Sequence, residues 1–324
     1  MRSSRTTIGT LAAAAVIAAV ALSGCSSSAS GSTPASTAAS SQGTWAQAKG
    51  TLVFAAVPDQ SGSDTDNKPL EDYIAKETGY KVEYYPTTDY TALIAAAVAG
   101  KVDLMSSGAL QYVEAVNKGA KVKPVAATKS SPAVTDPGYY SDAIVPKGSS
   151  ITSLADAKGK TVCFVDPSST SGFLFGLYQL QKAGIDVKST GTDANGNPTF
   201  KDFKPYFAGA HDKSEQAVAS GQCAVGFAED SVVTPAAAKG DVAVIGKAYV
   251  PGGPLSISTT LPASVQKKLS TVLEGATLDA IKNSGVALTP GFTATYFGAE
   301  KEDASYYKSI NDLCTSIPAA QCAK

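Results

Sequence analysis

The stretch TVCFVDPSSTSGF, residues 161–173, predicts how this chain folds. Thr161–Val165 is a short apolar run with β-branched residues, as expected for a buried strand. A helix is predicted over Gly172–Ala183, with Gly184 as its stop signal. Four hydroxyl residues in succession lie between the two elements. A strand that passes through a polar turn into a helix is the unit of parallel α/β sheets, so the stretch predicts an α/β fold.

The same alternation of strands and helices continues on both sides of this stretch. On the N-terminal side, strands are predicted at Thr51–Pro58, Lys81–Tyr85 and Val102–Ser106, and helices at Leu70–Thr78, Tyr90–Ala99 and Ala109–Lys118. A short helix is predicted just before this stretch, at Ser153–Lys158. On the C-terminal side, strands are predicted at Lys204–Ala208, Ala224–Ala228, Val242–Gly246 and Leu255–Thr259, and helices at Lys213–Ser220, Ser231–Ala238 and Ser264–Asn283. This order predicts βαβ units and mainly parallel sheets with covered faces.

The two series of elements predict two lobes joined by two chain crossings. The first lobe is expected to hold residues 49–147 and 252–324, and the second residues 148–251. The crossings are predicted near Ile144–Ser149 and Tyr249–Pro254. Ligands of open α/β sheets bind beyond the carboxyl ends of the strands, so a ligand site is expected in the cleft between the lobes.

The N-terminus has the features of a secretory signal. Met1–Arg5 carries two arginines, and the apolar run Ile8–Leu22 is shorter than the roughly 20 residues of a bilayer-spanning helix. We therefore expect a signal peptide over 1–24. Its exit, Leu22-Ser23-Gly24-Cys25, resembles the lipobox of bacterial lipoproteins, which makes Cys25 the expected lipid-bearing residue. The alternative is an ordinary secretory cleavage nearby, with Cys25 incidental.

A flexible linker is predicted between the anchor and the folded part, over residues 25–48. Ser26–Gly43 is rich in Ser, Ala, Thr and Gly and holds neither charged nor aromatic residues. Such a segment buries too little apolar surface to offset its conformational entropy. The chain is therefore expected to be an extracytoplasmic protein, lipid-anchored to the outer face of the cell membrane.

The four remaining cysteines, Cys163, Cys223, Cys314 and Cys322, form an even set, as expected for disulfides in an oxidising compartment. Three pairings are open. We favour Cys163–Cys223, which joins two predicted strand segments, and Cys314–Cys322, which closes a short loop. Four unpaired buried thiols are the alternative.

Composition excludes some classes of function. The 324 residues carry a formal net charge of −1, so the chain lacks the basic excess of a protein that binds nucleic acid through phosphate contacts. One histidine and few spare cysteines leave little material for a transition-metal site. We expect no metal and no redox cofactor.

The turn Ser168–Ser171 is the main candidate for a binding site. The first backbone N–H groups of a helix lack intrahelical acceptors and lie at the positive end of the helix dipole. Ser168, Ser169, Thr170 and Ser171 add hydroxyl donors to them, which suits a tetrahedral oxyanion. A merely well-capped helix is the alternative, although one hydroxyl would suffice for it.

Further candidates lie in other strand-to-helix turns. His211, the only histidine, is expected to donate to an anion or to be a surface cap residue. Asp230 is expected either to accept from a protonated ligand oxygen or to cap the following helix. The remaining candidates for the cleft are Tyr90, Ser107, Tyr139 and Tyr140.

These residues support a family resemblance. Asp166–Phe173 is similar to the D-P-x-S-T-S-G-F signature of the phosphonate, phosphite and phosphate family of ABC-transporter solute-binding proteins, and Gly209-Ala210-His211 to its G-x-H segment. The resemblance runs from about Thr51 to Pro262. Further segments match in the same order: Asp89-Tyr90, Pro137-Gly138-Tyr139-Tyr140 and Val250-Pro251-Gly252-Gly253-Pro254. It implies the two-lobed type II periplasmic-binding-protein fold.

The resemblance also implies a ligand and a partner. A small phosphorus oxyanion would be held by Ser169, Thr170, Ser171, His211 and Tyr90, and a membrane ABC permease would receive it from a monomeric, non-enzymatic protein. Two positions depart from the family. Gly253 stands where aminoalkylphosphonate binders have an acid, and Ser107 where an aromatic is frequent. Phosphite, phosphate and other small phosphonates therefore stay open.

Two other functions stay open at this point. One is an extracytoplasmic phosphatase or phosphotransferase, with Ser169 or Ser171 as nucleophile and His211 as acid or base. The other is a receptor that passes its closed form to a sensor protein.

Overall fold

The computed structural model describes residues 43–322. The predicted signal peptide over 1–24, Cys25 and most of the predicted linker lie outside the described residues. The strands are β1 (Thr51–Ala56), β2 (Lys81–Tyr84), β3 (Leu104–Ser106), β4 (Val122–Lys129), β5 (Gly138–Pro146), β6 (Thr161–Phe164), β7 (Ser189–Thr192), β8 (Pro198–Phe200), β9 (Lys204–Phe207), β10 (Val225–Glu229), β11 (Val242–Pro251), β12 (Pro254–Ser258) and β13 (Gly298–Lys301). The helices are α1 (Ser63–Asp66), α2 (Lys68–Thr78), α3 (Tyr90–Val98), α4 (Ala109–Asn117), α5 (Phe175–Lys182), α6 (His211–Ala219), α7 (Asp230–Lys239), α8 (Ala263–Glu274), α9 (Leu278–Asn283), α10 (Pro290–Thr295) and α11 (Lys308–Ser316). Short 3₁₀ turns span Leu154–Ala157, Ala304–Tyr307 and Pro318–Ala320, and a π-helical turn spans Thr170–Leu174.

The strands form two mixed sheets and one small hairpin. The first sheet has the order β13-β4-β12-β3-β1-β2, the second β11-β5-β10-β6-β9, and β7 pairs with β8. Pairing is parallel in β2-β1-β3 and in β10-β6-β9, and antiparallel where the chain returns, as between β12 and its neighbours β3 and β4. The α/β prediction is confirmed.

The chain crosses between the two sheets twice. It leaves the first sheet after β4, through residues 130–137, and returns to it between β11 and β12 at Gly252 and Gly253. The second crossing lies within the predicted segment. The first does not lie near Ile144–Ser149, because Gly138–Pro146 forms antiparallel pairs with β10 and β11 of the second sheet. Apart from this strand, the lobe boundaries stay a prediction.

Tyrosines tie the two crossing segments together. Tyr249 Oη donates to the carbonyl of Pro137 at 2.6 Å, and Tyr306 Oη donates to the same carbonyl. Tyr307 Oη donates to the carbonyl of Gly252 at 3.1 Å. The C-terminal segment therefore fixes both crossings from one side.

The core lies on both faces of the sheets. In the second sheet Phe164 of β6 is fully buried and contacts Phe173, Phe207 and Phe227 at ring-centroid distances of 5.2 to 5.8 Å. Phe173 follows the polar turn Ser168–Ser171, with Gly172 between them. Packing of this ring on β6 therefore holds the turn at the carboxyl end of the sheet.

One predicted helix is two helices in the structure. The expected helix Ser264–Asn283 is interrupted between α8 and α9, where Thr277 adopts extended backbone and its side chain accepts from Ala280 N at 3.0 Å. Helical periodicity continues through the break. The turn after Gly275 makes Thr277 the N-cap of a second helix, α9, so the prediction of one helix is wrong.

The structure contains the two favoured disulfides. Cys163–Cys223 and Cys314–Cys322 each have a Cα–Cα distance of 5.7 Å, which is typical of a disulfide. Within residues 43–322, none of the helices is long and apolar enough to cross a membrane.

Candidate functional site

The turn after β6 has an unusual backbone. Ser169 Oγ accepts from Gly172 N at 3.1 Å, and the next five residues form the π-helical turn before α5. A Cβ on Gly172 would lie 2.2 Å from Val165 Cγ2, so only glycine allows the turn to pack on the strand end. Among the described residues, the amides of Thr170 and Ser171 donate to no acceptor. Two N–H groups are therefore free to bind a ligand, and π-helical turns are frequent at functional sites.

Thr170 also joins the two sheets. Its Oγ1 accepts from Leu110 N, in the first turn of α4, at 2.9 Å. The close approach requires Gly108, because a Cβ there would lie 2.7 Å from the same oxygen. Helix α4 follows β3 of the first sheet, so two strand-to-helix turns from different sheets meet at this point.

Two adjoining cavities lie where these turns meet. The inner cavity, of about 30 Å³, is lined by Val57, Asp59, Tyr90, Gly108, Gln111, Tyr139, Ser169, Thr170, His211 and Glu229. The outer cavity, of about 120 Å³, shares Val57, Asp59, Gly108, Tyr139 and Glu229 with it and extends past Ser107 and Gly253 to Tyr296. Seven predicted or family-matched positions thus reach this region: Tyr90, Ser107, Tyr139, Ser169, Thr170, His211 and Gly253.

Tyr90 presents an unpaired hydroxyl to the inner cavity. The predicted N-cap Asp89 accepts from Ala92 N at 2.8 Å and so sets the start of α3 at Tyr90. The Tyr90 side chain is 3% exposed, and its Oη has no hydrogen-bond partner among the described residues. Burial, followed by the charge of Asp59, raises the pKa of Tyr90 well above its ordinary value. The hydroxyl therefore keeps its proton and is a donor.

His211 is held as a neutral donor. Its Nδ1 accepts from Glu229 N at 3.0 Å, which places the proton on Nε2, and its backbone N–H donates to the carbonyl of Asp59 at 2.8 Å. Burial lowers the pKa of His211, with the charge of Glu229 acting in the opposite direction. The imidazole therefore offers one N–H to the inner cavity it lines.

Two further buried hydroxyls lack partners among the described residues. Ser107 Oγ is one, and Ser107 lines the outer cavity. Ser171 Oγ is the other; the carbonyl of Ser171 accepts from Ser141 Oγ at 2.8 Å, and its side chain lies beside Tyr139. Because an unpaired buried hydroxyl is unfavourable, each indicates a polar group that has yet to bind.

Four predicted site residues line neither cavity: Ser171, described above, and Asp230, Tyr140 and Ser168. Asp230 has both oxygens engaged by protein donors, Oδ1 by Tyr140 N at 3.1 Å and Oδ2 by Ser131 Oγ at 2.6 Å. Tyr140 packs its ring on Tyr249 and under Lys247 Nζ. Ser168 is buried beside Glu114. The expectation that the last three contact the ligand does not fit their positions.

Sequence reasoning missed three residues that line the inner cavity: Asp59, Gln111 and Glu229. Glu229 is the immediate neighbour of the predicted Asp230, and of the predicted pair Tyr139 and Tyr140 only Tyr139 lines the cavities. Asp59 follows β1, so the rule about carboxyl ends of parallel strands could have found it.

The charges around the two cavities are all acidic. Neither cavity is lined by Lys or Arg, whereas Asp59 and Glu229 line both. Burial and then the charge of Glu229 raise the pKa of Asp59 well above its ordinary value. The site therefore combines neutral N–H and O–H donors with two acidic side chains, of which Asp59 is held in surroundings that disfavour its charge.

Comparison with known proteins identifies the family. Residues 54–297 match the model of the ABC transporter, phosphonate, periplasmic substrate-binding protein family. This chain belongs to that family. It is 40% identical over 186 residues to the phosphate-import protein PhnD of Mycolicibacterium smegmatis, covering 56% of each chain. It is 32% identical over 215 residues to the phosphonates-binding periplasmic protein of Escherichia coli, covering 62% of this chain and 58% of the relative. The chain thus spans little more than half the length of these curated relatives.

A solved structure supports the fold of the family. The structure of PhnD1 from Prochlorococcus marinus in complex with methylphosphonate matches with a TM-score of 0.67 at 20% identity, over 83% of this chain and 98% of that one. The type II periplasmic-binding-protein fold is therefore confirmed. The family and its curated members are named as binding components of transporters and not as enzymes. Within the described residues, no hydrogen bond joins His211 to Ser169 or Ser171, the pair that a serine nucleophile requires.

Proposed function

We propose that this protein captures a small phosphorus oxyanion (phosphite, phosphate or a small phosphonate) between its two sheets and delivers it to an ABC importer in the membrane. The observation that carries the proposal is the set of unpaired donors around the inner cavity. Thr170 with its free amide, the hydroxyl of Tyr90 and the neutral His211 line it from elements that follow strands of both sheets, and the free amide of Ser171 is the next one along the turn.

The chemistry of these donors suits an oxyanion. Each donor would form a charge-assisted hydrogen bond to a negatively charged oxygen, and such bonds are roughly twice as strong as neutral ones. All of them are held by local structure, the amides by the π-helical turn and His211 by the amide of Glu229. Preorganised donors lose little conformational freedom on binding. The relatives named for phosphate import and phosphonate binding support the phosphorus class.

Binding itself is tested by isothermal titration calorimetry of the purified chain with phosphite, phosphate, methylphosphonate and aminoethylphosphonate. We expect at least one of them to bind with a micromolar or lower Kd. Binding of all four weaker than millimolar would contradict the ligand class. Turnover of a chromogenic phosphate ester, absent in our proposal, would favour the phosphatase alternative.

We further propose that the chain is exported and held at the membrane through a lipid on Cys25, with the linker as a tether. The lipobox-like Leu22-Ser23-Gly24-Cys25 supports this part. The test feeds an alkyne-tagged fatty acid to cells that express either the unchanged chain or its Cys25→Ala variant. It then measures the label on the protein and the retention of the protein in the membrane. We expect label and membrane retention for the unchanged chain only; equal behaviour of the two would exclude the lipid anchor.

A further inference from the structure

The outstanding feature of the site is a carboxylate that faces an anion-binding cavity. Asp59, in the turn after β1, is half-buried and lines both cavities. Among the described residues no side chain donates to its carboxylate; its polar contacts are the amides of its own turn, from Asp59 and Gln60. A carboxylate in this position would repel an anion that carries no proton.

Asp59 differs in this respect from the other carboxylate of the cavities. Glu229 Oε1 already accepts from Gln60 Nε2 at 3.2 Å and from Ser231 Oγ at 2.6 Å. Oε1 of Glu229 is therefore occupied by two side-chain donors, whereas neither oxygen of Asp59 accepts from a side chain of the described residues. The unpaired, 97% buried hydroxyl of Tyr90, which lines the same inner cavity, shows independently that this place awaits a polar group.

The surroundings offer no cation that would offset the charge of Asp59. Neither cavity is lined by Lys or Arg, and His211 is held neutral. The charged side chains that act on the pKa of Asp59 are those of Glu229 and Asp212, and both are acidic. An anion enters this site favourably only if a proton lies between it and Asp59. Because burial and the charge of Glu229 raise the pKa of Asp59, the carboxyl can take up that proton itself at low pH, and the selection applies where Asp59 is ionised. A phosphorus oxyanion with a P–OH group supplies that proton itself, whereas sulfate and sulfonates at neutral pH have none to give.

We propose, building on the function above, that Asp59 selects phosphorus oxyanions that carry an O–H group, by accepting the hydrogen bond of that group and repelling unprotonated sulfur oxyanions. A site built to pair with a ligand hydroxyl rejects analogues without it strongly, because a buried polar group is then left unpaired. Asp59 is in this view a specificity-determining residue, and the donors of the π-helical turn supply the bulk of the affinity.

The test measures the Kd of phosphate, sulfate and aminoethylphosphonate at pH 8, where phosphate still carries an O–H group, for the full chain and for Asp59→Asn. We expect the unchanged chain to bind phosphate at least a hundredfold more tightly than sulfate. In Asp59→Asn the added amide donates to any oxyanion and the repulsion is gone, so the ratio should fall below about tenfold. Asp64→Asn, on the exposed face of the neighbouring α1, removes the same charge and should leave the ratio unchanged.

Melting curves without ligand confirm that both variants are folded. A phosphate-to-sulfate ratio that survives in Asp59→Asn overturns the proposal, as does an unchanged chain that binds both ions alike. Should Asp59→Asn weaken only aminoethylphosphonate, the carboxylate binds an ammonium group and the proposal is likewise wrong. If no phosphorus oxyanion binds the unchanged chain, the proposed function fails, which is a separate result.

Discussion

The hydroxyl of Tyr90 is the clearest single-residue sign of a ligand. A buried hydroxyl without a partner is unfavourable, yet this one lies at the first residue of α3, fixed there by the Asp89 cap. We expect Tyr90→Phe to weaken phosphorus-oxyanion binding roughly 10- to 150-fold, the value of one hydrogen bond to a charged group. The melting temperature without ligand should stay the same or rise, because the variant removes only the unpaired hydroxyl.

Tyr73→Phe is a matched control for this prediction. Tyr73 is buried in the core of the first sheet and lines neither cavity. Its variant should bind as the unchanged chain does. Titration calorimetry and melting curves of the two variants check both statements, and equal affinities for all three proteins would mean that Tyr90 does not contact the ligand.

Glu114 gives a residue-scale prediction about pH. It is 3% exposed, and burial raises its pKa from 4.5 to about 7, opposed by a hydrogen bond from Ser168. A carboxyl whose pKa is raised by folding binds more protons in the folded state, so stability falls as pH rises from about 4.5 to about 7. The full loss is of the order of 3 kcal/mol.

We therefore expect Glu114→Gln to be more stable than the unchanged chain at pH 8 and no more stable at pH 4. Urea unfolding at both values measures the difference. Glu77→Gln, an exposed change at the end of α2, should show no such dependence. A Glu114→Gln variant that loses stability at pH 8 would contradict the assignment.

At the scale of elements, the π-helical turn depends on one glycine. A Cβ on Gly172 would overlap the side chain of Val165, which is fully buried on the strand end. We expect Gly172→Ala to lower the free energy of unfolding by about 1–3 kcal/mol, as overpacking does, and to weaken oxyanion binding because the turn shifts. Gly275→Ala, where the nearest atom is 3.5 Å away, should leave affinity unchanged; urea unfolding and calorimetry compare the pair.

At the scale of the whole molecule, the two disulfides should contribute unequally. Cys163–Cys223 spans 60 residues of sequence and Cys314–Cys322 spans 8. Because the entropy of the unfolded chain falls more when a longer loop is closed, removal of the first pair by serine should cost about 4 kcal/mol and of the second about 2.5 kcal/mol. Denaturant midpoints of the two double variants test this order. A larger loss of stability on removal of Cys314–Cys322 than of Cys163–Cys223 would contradict the prediction.

The candidate site shows where sequence reasoning succeeds and where it stops. The carboxyl ends of strands and the starts of helices follow from local patterns, so Tyr90, Ser169, Thr170 and His211 were found and do line the inner cavity. At two other strand ends the pattern was less exact: of the predicted pair Tyr139 and Tyr140 only Tyr139 lines the cavities, and Glu229 lines them where Asp230 was predicted. Successive residues of a strand point to opposite faces, so an error of one residue moves a side chain out of the site.

The order of strands and helices, the helix caps and the turn of hydroxyl residues were determined by the sequence alone, because each depends on neighbours within a few residues. Tertiary structure decided which turns meet, since contacts such as that of Leu110 with Thr170 join residues 60 positions apart. It also decided that Gly138–Pro146 pairs with the second sheet and that Asp59 faces the donors. Sheet pairing and cavity lining depend on packing between distant segments, and no local pattern of residues specifies them.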